Sequence, residues 1–280
     1  MQGVSVIIPT FNRAEKLVRA VSSALSQSAP PAEVIVVDDG STDHTKSALA
    51  PLIHRITYVR HRENRGVSAA RNTGLRRSGA EFIAFLDSDD HWVEDKLAVQ
   101  TRFFRRHPDA VACQTEEIWI RGGRRVNPKK KHKKPSGDIF SASLKLCLVS
   151  PSAVMLRRSL LDEVGLFDES LPACEDYDLW LRIGCRYPIH LIPEYLVVKE
   201  GGAPDQLSAR YPGMDRFRIR AMVKLLKTAP LSERQRRAAT EKLALKCRIY
   251  GNGCLKRGKT EEGRYYLNLP ADMKDIDKCV

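Results

Sequence analysis

The stretch FIAFLDSDDHW, residues 82–92, places Asp87, Asp89 and Asp90 directly behind an apolar run that reads as a buried strand. Like charges crowded at a strand end raise one another's pKa unless something neutralises them. A divalent cation does this best. An Asp-x-Asp pair offers hard oxygen ligands, and Mg²⁺ or Mn²⁺ takes one or two carboxylates together with substrate phosphates. The implied ligand is a phosphate ester. The alternative is that the acids solvate a loop or cap the next helix, the role expected of Asp43 and Asp90. Two more polar segments follow apolar runs in the same way: Pro9-Thr10-Phe11-Asn12 after VSVII, and Asp38-Asp39-Gly40-Ser41-Thr42-Asp43 after EVIVV.

The elements that must position these residues are legible in the apolar pattern. Val4 to Ile8, Glu33 to Val37, Ile56 to Val59 and Phe82 to Leu86 predict strands. Leu17, Val18, Val21, Ala24 and Leu25 recur at helical spacing behind a capping box of Asn12 and Glu15. Ser41 or Thr42 is expected to start a second helix toward Leu49, and Val67 to Arg77 a third. The alternation implies a parallel sheet covered on both faces. In such a sheet ligands bind beyond the carboxyl ends of the strands, where all three polar segments fall. Beyond Asp90 the pattern predicts a helix over Lys96 to Arg106 and a strand over Ala110 to Ile120. Helices follow over Leu160 to Val164 and Tyr177 to Ile183, then a strand over Ile189 to Val198. From about Pro212 the chain reads as basic and helical, with a break at Ala229-Pro230.

With 280 residues, 42% hydrophobic and 29% charged, the chain has the composition of a soluble globular protein. No run approaches the roughly 18 apolar residues that a membrane span requires. The N-terminus enters the first strand without the pattern of a signal peptide, so a cytoplasmic location is expected. Seven cysteines, none in CxxC spacing, imply free thiols and no zinc site. The net charge of +13 is unevenly spread: residues 121–134 hold eight Lys/Arg and no acid, and 210–259 hold fifteen Lys/Arg against three acids. The remainder of the chain is mildly acidic.

Five segments, VSVIIPTFNR, EVIVVDDGSTD, NRGVSAARNTGL, EFIAFLDSDDHW and LRRSLLDEVGLFDESLPACEDYDLWLRI, together resemble the inverting glycosyltransferase family 2 over about residues 3–208. The resemblance implies an α/β fold of GT-A type, with a Rossmann-like, mostly parallel sheet flanked by helices and a C-terminal helical region. The expected division is a GT-A domain over 1–208, with a nucleotide-binding half at 1–110 and an acceptor-binding half at 111–208, and a basic helical region over 209–280.

The resemblance also implies roles. Pro9, Phe11, Asn12 and Asp39 would hold the base and ribose of a nucleoside diphosphate sugar. Phe11 offers an aromatic face, and Asp39 an acceptor for the imide proton of uracil or thymine; a cap and a core residue are the plainer readings of Asn12 and Phe11. Arg71 would lie near the nucleotide or diphosphate, where a guanidinium fits. Asp87-Ser88-Asp89 matches the family's DxD motif, with Asp89 the main ligand of Mn²⁺ or Mg²⁺ and Asp87 its partner. ACEDYDLW resembles the family's ED motif, making Asp176 the general base toward an acceptor hydroxyl. Glu175 would orient the site or act in its place, and Asp178 should point elsewhere. Read alone, EDYDLWLR is an amphipathic helix.

The implied activity is metal-dependent transfer of a sugar, UDP- or dTDP-linked, to a saccharide or lipid-linked hydroxyl acceptor in cell-surface polysaccharide or glycoconjugate synthesis. Rival readings are a sugar nucleotidyltransferase, which should show a Gly-rich loop where this chain has PTFNRAEK, and a nucleic-acid-binding protein using basic regions that carry few interleaved aromatics. No nucleic acid partner is expected. In KEGGAPDQLS, Ala203 stands where family members often carry a His near the donor diphosphate. The basic run at 121–137 reads as a solvated loop or as a contact with anionic lipid at the inner face of the membrane. Finally, Gly253, Gly258, Lys259 and Thr260 satisfy GxxxxGK[ST], but a helix-like segment precedes them where a P-loop needs a strand, so a turn between helices is expected.

Overall fold

The computed structural model describes residues 3–127, 129–202, 211 and 213–276. Strands β1 (Val4–Thr10), β2 (Glu33–Asp38), β3 (Thr57–Arg60) and β4 (Phe82–Phe85) pair in parallel in the order β3-β2-β1-β4. The apolar runs of β1, β2 and β4 are continuous because both faces are covered, whereas β3 at the edge is only half-buried. On one face Val4, Val6 and Ile8 join Leu17, Val21 and Ala24 of helix α1 (Ala14–Leu25). Ile7 points to the other face, where α3 (Val67–Arg77) crosses. That helix lies so close that a Cβ on Gly74 would meet Ile7 Cγ2 at 2.4 Å, so only glycine permits this approach.

Five further strands complete the sheet: β5 (His91–Trp92), β6 (Ala112–Arg121), β7 (Arg124–Val126), β8 (Val154–Arg157) and β9 (His190–Gly201). Next to β4 lies β8, antiparallel; β6 is antiparallel to β8 and parallel to β9. The two reversals restore direction, so β6 and β9 run the same way as β1 to β4 and end on the same rim. At the outer edge β5 pairs with β9, and β7 folds back on β6.

The remaining helices are α4 (Lys96–Arg106), α5 (Phe140–Ser143), α6 (Arg158–Val164), α7 (Glu175–Gly184), α8 (Asp215–Thr228), α9 (Glu233–Leu255) and α10 (Thr260–Ile276). The C-terminal helices are docked rather than free: Phe217, Met222, Leu225, Leu243, Cys247 and Tyr250 share a core with Tyr177 and Leu181 of α7. Helix α8 stops before Ala229-Pro230, as expected. Ser232 and Gln235 then close a reciprocal capping box at the start of α9. Gly253 lies inside α9, with a helix before it and another after it, so the GxxxxGK[ST] match is a helix turn.

Several sequence expectations are corrected. The second helix is the single turn α2 (Thr45–Ala48), followed by a 3₁₀ segment over Ala50–Arg55, because the Ser41 and Thr42 amides are already engaged by Asp38 and Asn12. Asn12 does not form a capping box with Glu15. Its backbone is left-handed (φ 52°), and its side-chain oxygen accepts instead from Thr42 N–H at 2.8 Å. Asp90 caps no helix, because β5 intervenes before α4; it is buried and accepts from the Ser152 hydroxyl at 2.7 Å. The basic segment is partly built into the fold, through β7 and a 3₁₀ turn over Lys130–His132, and Lys134 is buried. The described cysteines are all free. Among the described residues no helix is long and apolar enough to cross a membrane. Ala203 lies outside the described residues.

Candidate active site at the carboxyl ends of the strands

A cavity of about 1100 Å³ opens where β1, β2 and β4 end. Every residue singled out from the sequence for donor, metal or base chemistry lines it: Pro9, Phe11, Asn12, Asp39, Arg71, Asp87, Ser88, Asp89 and Asp176. The first three come from the end of β1 and the turn that leaves it, and Phe11 is 37% exposed. Asn12 ties this turn to the one after β2 by donating its amide to Ser41 Oγ at 2.9 Å. Asp39 is 3% exposed and organises a third segment. Its carboxylate accepts from His61 Nδ1 at 2.7 Å, Arg65 N–H at 2.9 Å and Gly66 N–H at 2.7 Å. These bonds hold the loop that launches α3 against the floor of the cavity.

Helix α3 carries Arg71 one turn from Gly74, and the close helix packing brings the guanidinium inward. One terminal nitrogen donates to Asp87 at 2.7 Å and the other to Glu175 at 2.6 Å, both at the limit of short charge-assisted bonds. Burial alone would raise Asp87, but Arg71 and Lys199 outweigh it and hold the carboxyl below its ordinary range. Asp89 is raised by burial, with Arg13 at 2.7 Å opposing and Asp87 adding to the rise. Burial pushes Asp90 up to about 8 in spite of Lys199, and Asp87 and Asp89 add to the effect. The three acids thus differ: Asp87 is committed to Arg71, Asp90 to Ser152, and Asp89 faces the cavity beside a single arginine.

Across the cavity, α7 begins just after Cys174, whose left-handed backbone (φ 62°) turns the chain so that Glu175 and Asp176 enter the site. Burial, reinforced by Asp176, pushes Glu175 up to about 7 despite Arg71. Asp176 accepts from Cys147 Sγ at 3.3 Å and from Tyr177 N–H at 2.7 Å. Asp178 points away, pairing with Arg182 at 2.8 Å and Lys224 at 3.2 Å. Asp87 and Asp89 fit a divalent ion that arrives with a diphosphate, since the burial of Asp89 is only partly offset by Arg13 and a cation relieves the rest. Among the described residues no cluster of three or more acidic, His or Cys side chains is placed to hold an ion unaided.

Sequence reasoning missed three residues here. Arg13 was overlooked beside Asn12, although it directly follows the first polar turn. Lys199 of β9 also lines the cavity and donates to Ser150 Oγ at 2.9 Å, and Glu117, Asp90, Asp87 and Asp176 raise its pKa against the effect of burial. Its place in the strand alternation was the available signal. Cys147 carried no local signal, because only the tertiary fold brings it to Asp176.

The model for Glycosyl transferase family 2 matches residues 5–165. An uncharacterized glycosyltransferase of Rickettsia conorii is 32% identical over 194 residues, 66% of this chain and 31% of its own. The chain therefore spans about a third of the length of such relatives. The UDP-Glc:alpha-D-GlcNAc-diphosphoundecaprenol beta-1,3-glucosyltransferase WfaP of Escherichia coli is 32% identical, over 65% of this chain and 70% of its own. The putative teichuronic acid biosynthesis glycosyltransferase TuaG of Bacillus subtilis is 32% identical, over 64% and 71%. Among solved structures, TarS 1–349 of S. aureus with UDP-GlcNAc superposes with a TM-score of 0.76 at 22% identity, covering 98% of this chain and 80% of that one. The mannosyltransferase PcManGT of Pyrobaculum calidifontis with GDP-Man and Mn²⁺ gives 0.66 at 19%, covering 98% and 85%. At these identities the likeness shows the fold, which is of the GT-A type that the sequence resemblance implied.

Proposed function

Because the chain belongs to glycosyl transferase family 2, we propose that it is an inverting transferase that moves a sugar from a UDP- or dTDP-linked donor to a hydroxyl acceptor. The observation that carries this reading is the convergence on one cavity of Asp87 and Asp89 from one side and Asp176 from the other. Phe11 and Asn12 flank the nucleoside at the cavity mouth, and Asp39 fixes the loop beneath it. Asp176, positioned by Cys147 and its helix amide, takes the proton of the acceptor hydroxyl. The acceptor oxygen then bonds to the anomeric carbon as the bond to the diphosphate oxygen breaks. Its electron pair leaves with the nucleoside diphosphate, and the configuration inverts. Arg13 and Lys199 supply positive charge along the leaving group's side of the cavity. Asp89, with Asp87, would hold Mn²⁺ or Mg²⁺, which when bound offsets the charge growing on the diphosphate.

The names of WfaP and TuaG support a place in cell-surface polysaccharide synthesis with a lipid-linked saccharide as acceptor, a substrate that the protein would meet at the inner face of a membrane. A thermal-shift screen of nucleoside diphosphates and their sugars, with and without Mn²⁺, tests the donor site. Stabilisation by UDP or dTDP that requires the metal is expected. Equal indifference to every nucleotide would overturn the proposal.

A further inference from the structure

The segment that carries eight cations between Arg121 and Lys134 is anchored to the fold at several points. Lys134 turns inward, 3.1 Å from Glu117 and donating to the Thr115 carbonyl at 2.9 Å. Gln114 donates to the Pro135 carbonyl at 3.2 Å, and Ser136 Oγ accepts from Leu191 N–H at 2.9 Å. The His132 ring sits 5.3 Å from that of Trp119. Pinned this way, the segment turns its other cations outward: Arg121 at the end of β6, Arg124 and Arg125 on β7, and Lys129, Lys130, Lys131 and Lys133 in and beside the 3₁₀ turn that follows are exposed. Burial, then Lys131, Lys129 and Arg121, hold His132 below its ordinary pKa, as expected where positive charge is concentrated. Tyr195, 53% exposed, stands beside Arg125 with the guanidinium 5.8 Å from its ring.

The topology locates this patch. Trp119 of β6 pairs with Lys199 of β9, which lines the cavity, and two residues further on Arg121 pairs with Gly201 before the chain turns into the hairpin. Since β6 runs with β1 and β4, the β6–β7 turn lies on the rim where the cavity opens, and the lysine-bearing turn after β7 packs back beside Thr115 and Trp119 of β6. A dense group of cations on a segment with no acid of its own is complementary to a surface of closely spaced phosphates, and flanking aromatic rings suit a headgroup layer.

We infer that this hairpin docks the protein on an anionic phospholipid surface with the cavity mouth turned toward the bilayer. The inference rests on the reading of a lipid-linked acceptor for its purpose, but its test does not. The full chain is cosedimented with vesicles of phosphatidylglycerol and phosphatidylcholine, and with phosphatidylcholine alone, in the absence of donor and acceptor. Binding to the first only, weakening with salt, is expected. Lys129→Ser, Lys130→Ser and Lys131→Ser together should weaken it roughly a hundredfold. Arg234→Ser, Arg237→Ser and Arg248→Ser, an equal loss of exposed charge on α9, should leave it nearly unchanged. Indifference of the wild type to phosphatidylglycerol, equal losses in both triple variants, or capture by heparin but not by vesicles would each overturn the inference. Transfer to a soluble acceptor, measured in parallel, should survive in the hairpin variant. If transfer fails in the wild type while vesicle binding holds, the enzymatic reading falls and the docking surface stands.

Discussion

Arg71 and Glu175, 104 residues apart in the chain, meet at 2.6 Å in the interior of the protein. The pair joins α3, beside the donor half of the cavity, to the first turn of α7, which carries Asp176. Replacing Arg71 with Met would leave Glu175 and Asp87 as buried carboxyls without their partner. A loss of about 3–5 kcal/mol is expected in urea denaturation. Arg71→Lys cannot span both acids and should recover only part of it.

Asp176→Asn keeps the size of the side chain and removes its basicity. Transfer should fall by about 10²–10⁴-fold, while the nucleotide-induced thermal shift stays at the wild-type level. Near-normal turnover would show that the base is elsewhere, with Glu175 the first alternative.

Asp89 faces the cavity and Arg13 pairs with it, so the two should separate in a titration with Mn²⁺ and UDP. Arg13→Gln removes the cation that competes for the Asp89 carboxylate, so metal affinity should hold or rise. Asp89→Asn removes the proposed ligand itself and should lose most of that affinity.

Lys134 and Lys199 overcome the burial of Glu117 and hold it at about 2, below its ordinary 4.5. A depressed acid stabilises the fold fully above its unfolded value, and that contribution is lost as pH falls through the folded one. The wild type should therefore lose denaturation free energy between pH 4.5 and about 2 faster than Glu117→Gln does. Parallel curves for the two proteins would remove the assignment.

Lys96 is fully buried, donating to Gln100 at 2.6 Å and lying 4.1 Å from the centre of the Trp92 ring. Burial lowers its pKa to about 7. Between that value and the ordinary 10.5 the unfolded chain binds more protons, so stability rises with pH across the window. The limiting slope is about 1.4 kcal/mol per pH unit, and Lys96→Met should abolish this component in denaturant titrations.

The parallel strands were legible because Val, Ile and Phe runs bounded by polar turns leave few alternatives, and α4 appears at Lys96–Arg106 as its spacing predicts. Asp90 was misread because a two-residue strand, β5, is too short to leave a periodic signal, and the burial that ties Asp90 to Ser152 is a tertiary effect. Asn12 was misread for a related reason. Its i,i+3 relation to Glu15 is local, whereas its actual partners lie 30 residues away on the next strand's turn. Lys199 and Cys147 needed the reversed strand β8 and the docking of α7, neither of which periodicity encodes.

Among the described residues, the non-glycine positions with left-handed backbone are Asn12 and Cys174, and both line the cavity, one on each side. Each such conformation costs about 1–2 kcal/mol, which the folded chain supplies once, when it forms. The proposed donor-side turn and the base-bearing helix start are thereby fixed before any substrate arrives. Organising them costs no further conformational entropy at the moment of reaction, so binding energy remains for aligning the acceptor oxygen with the anomeric carbon.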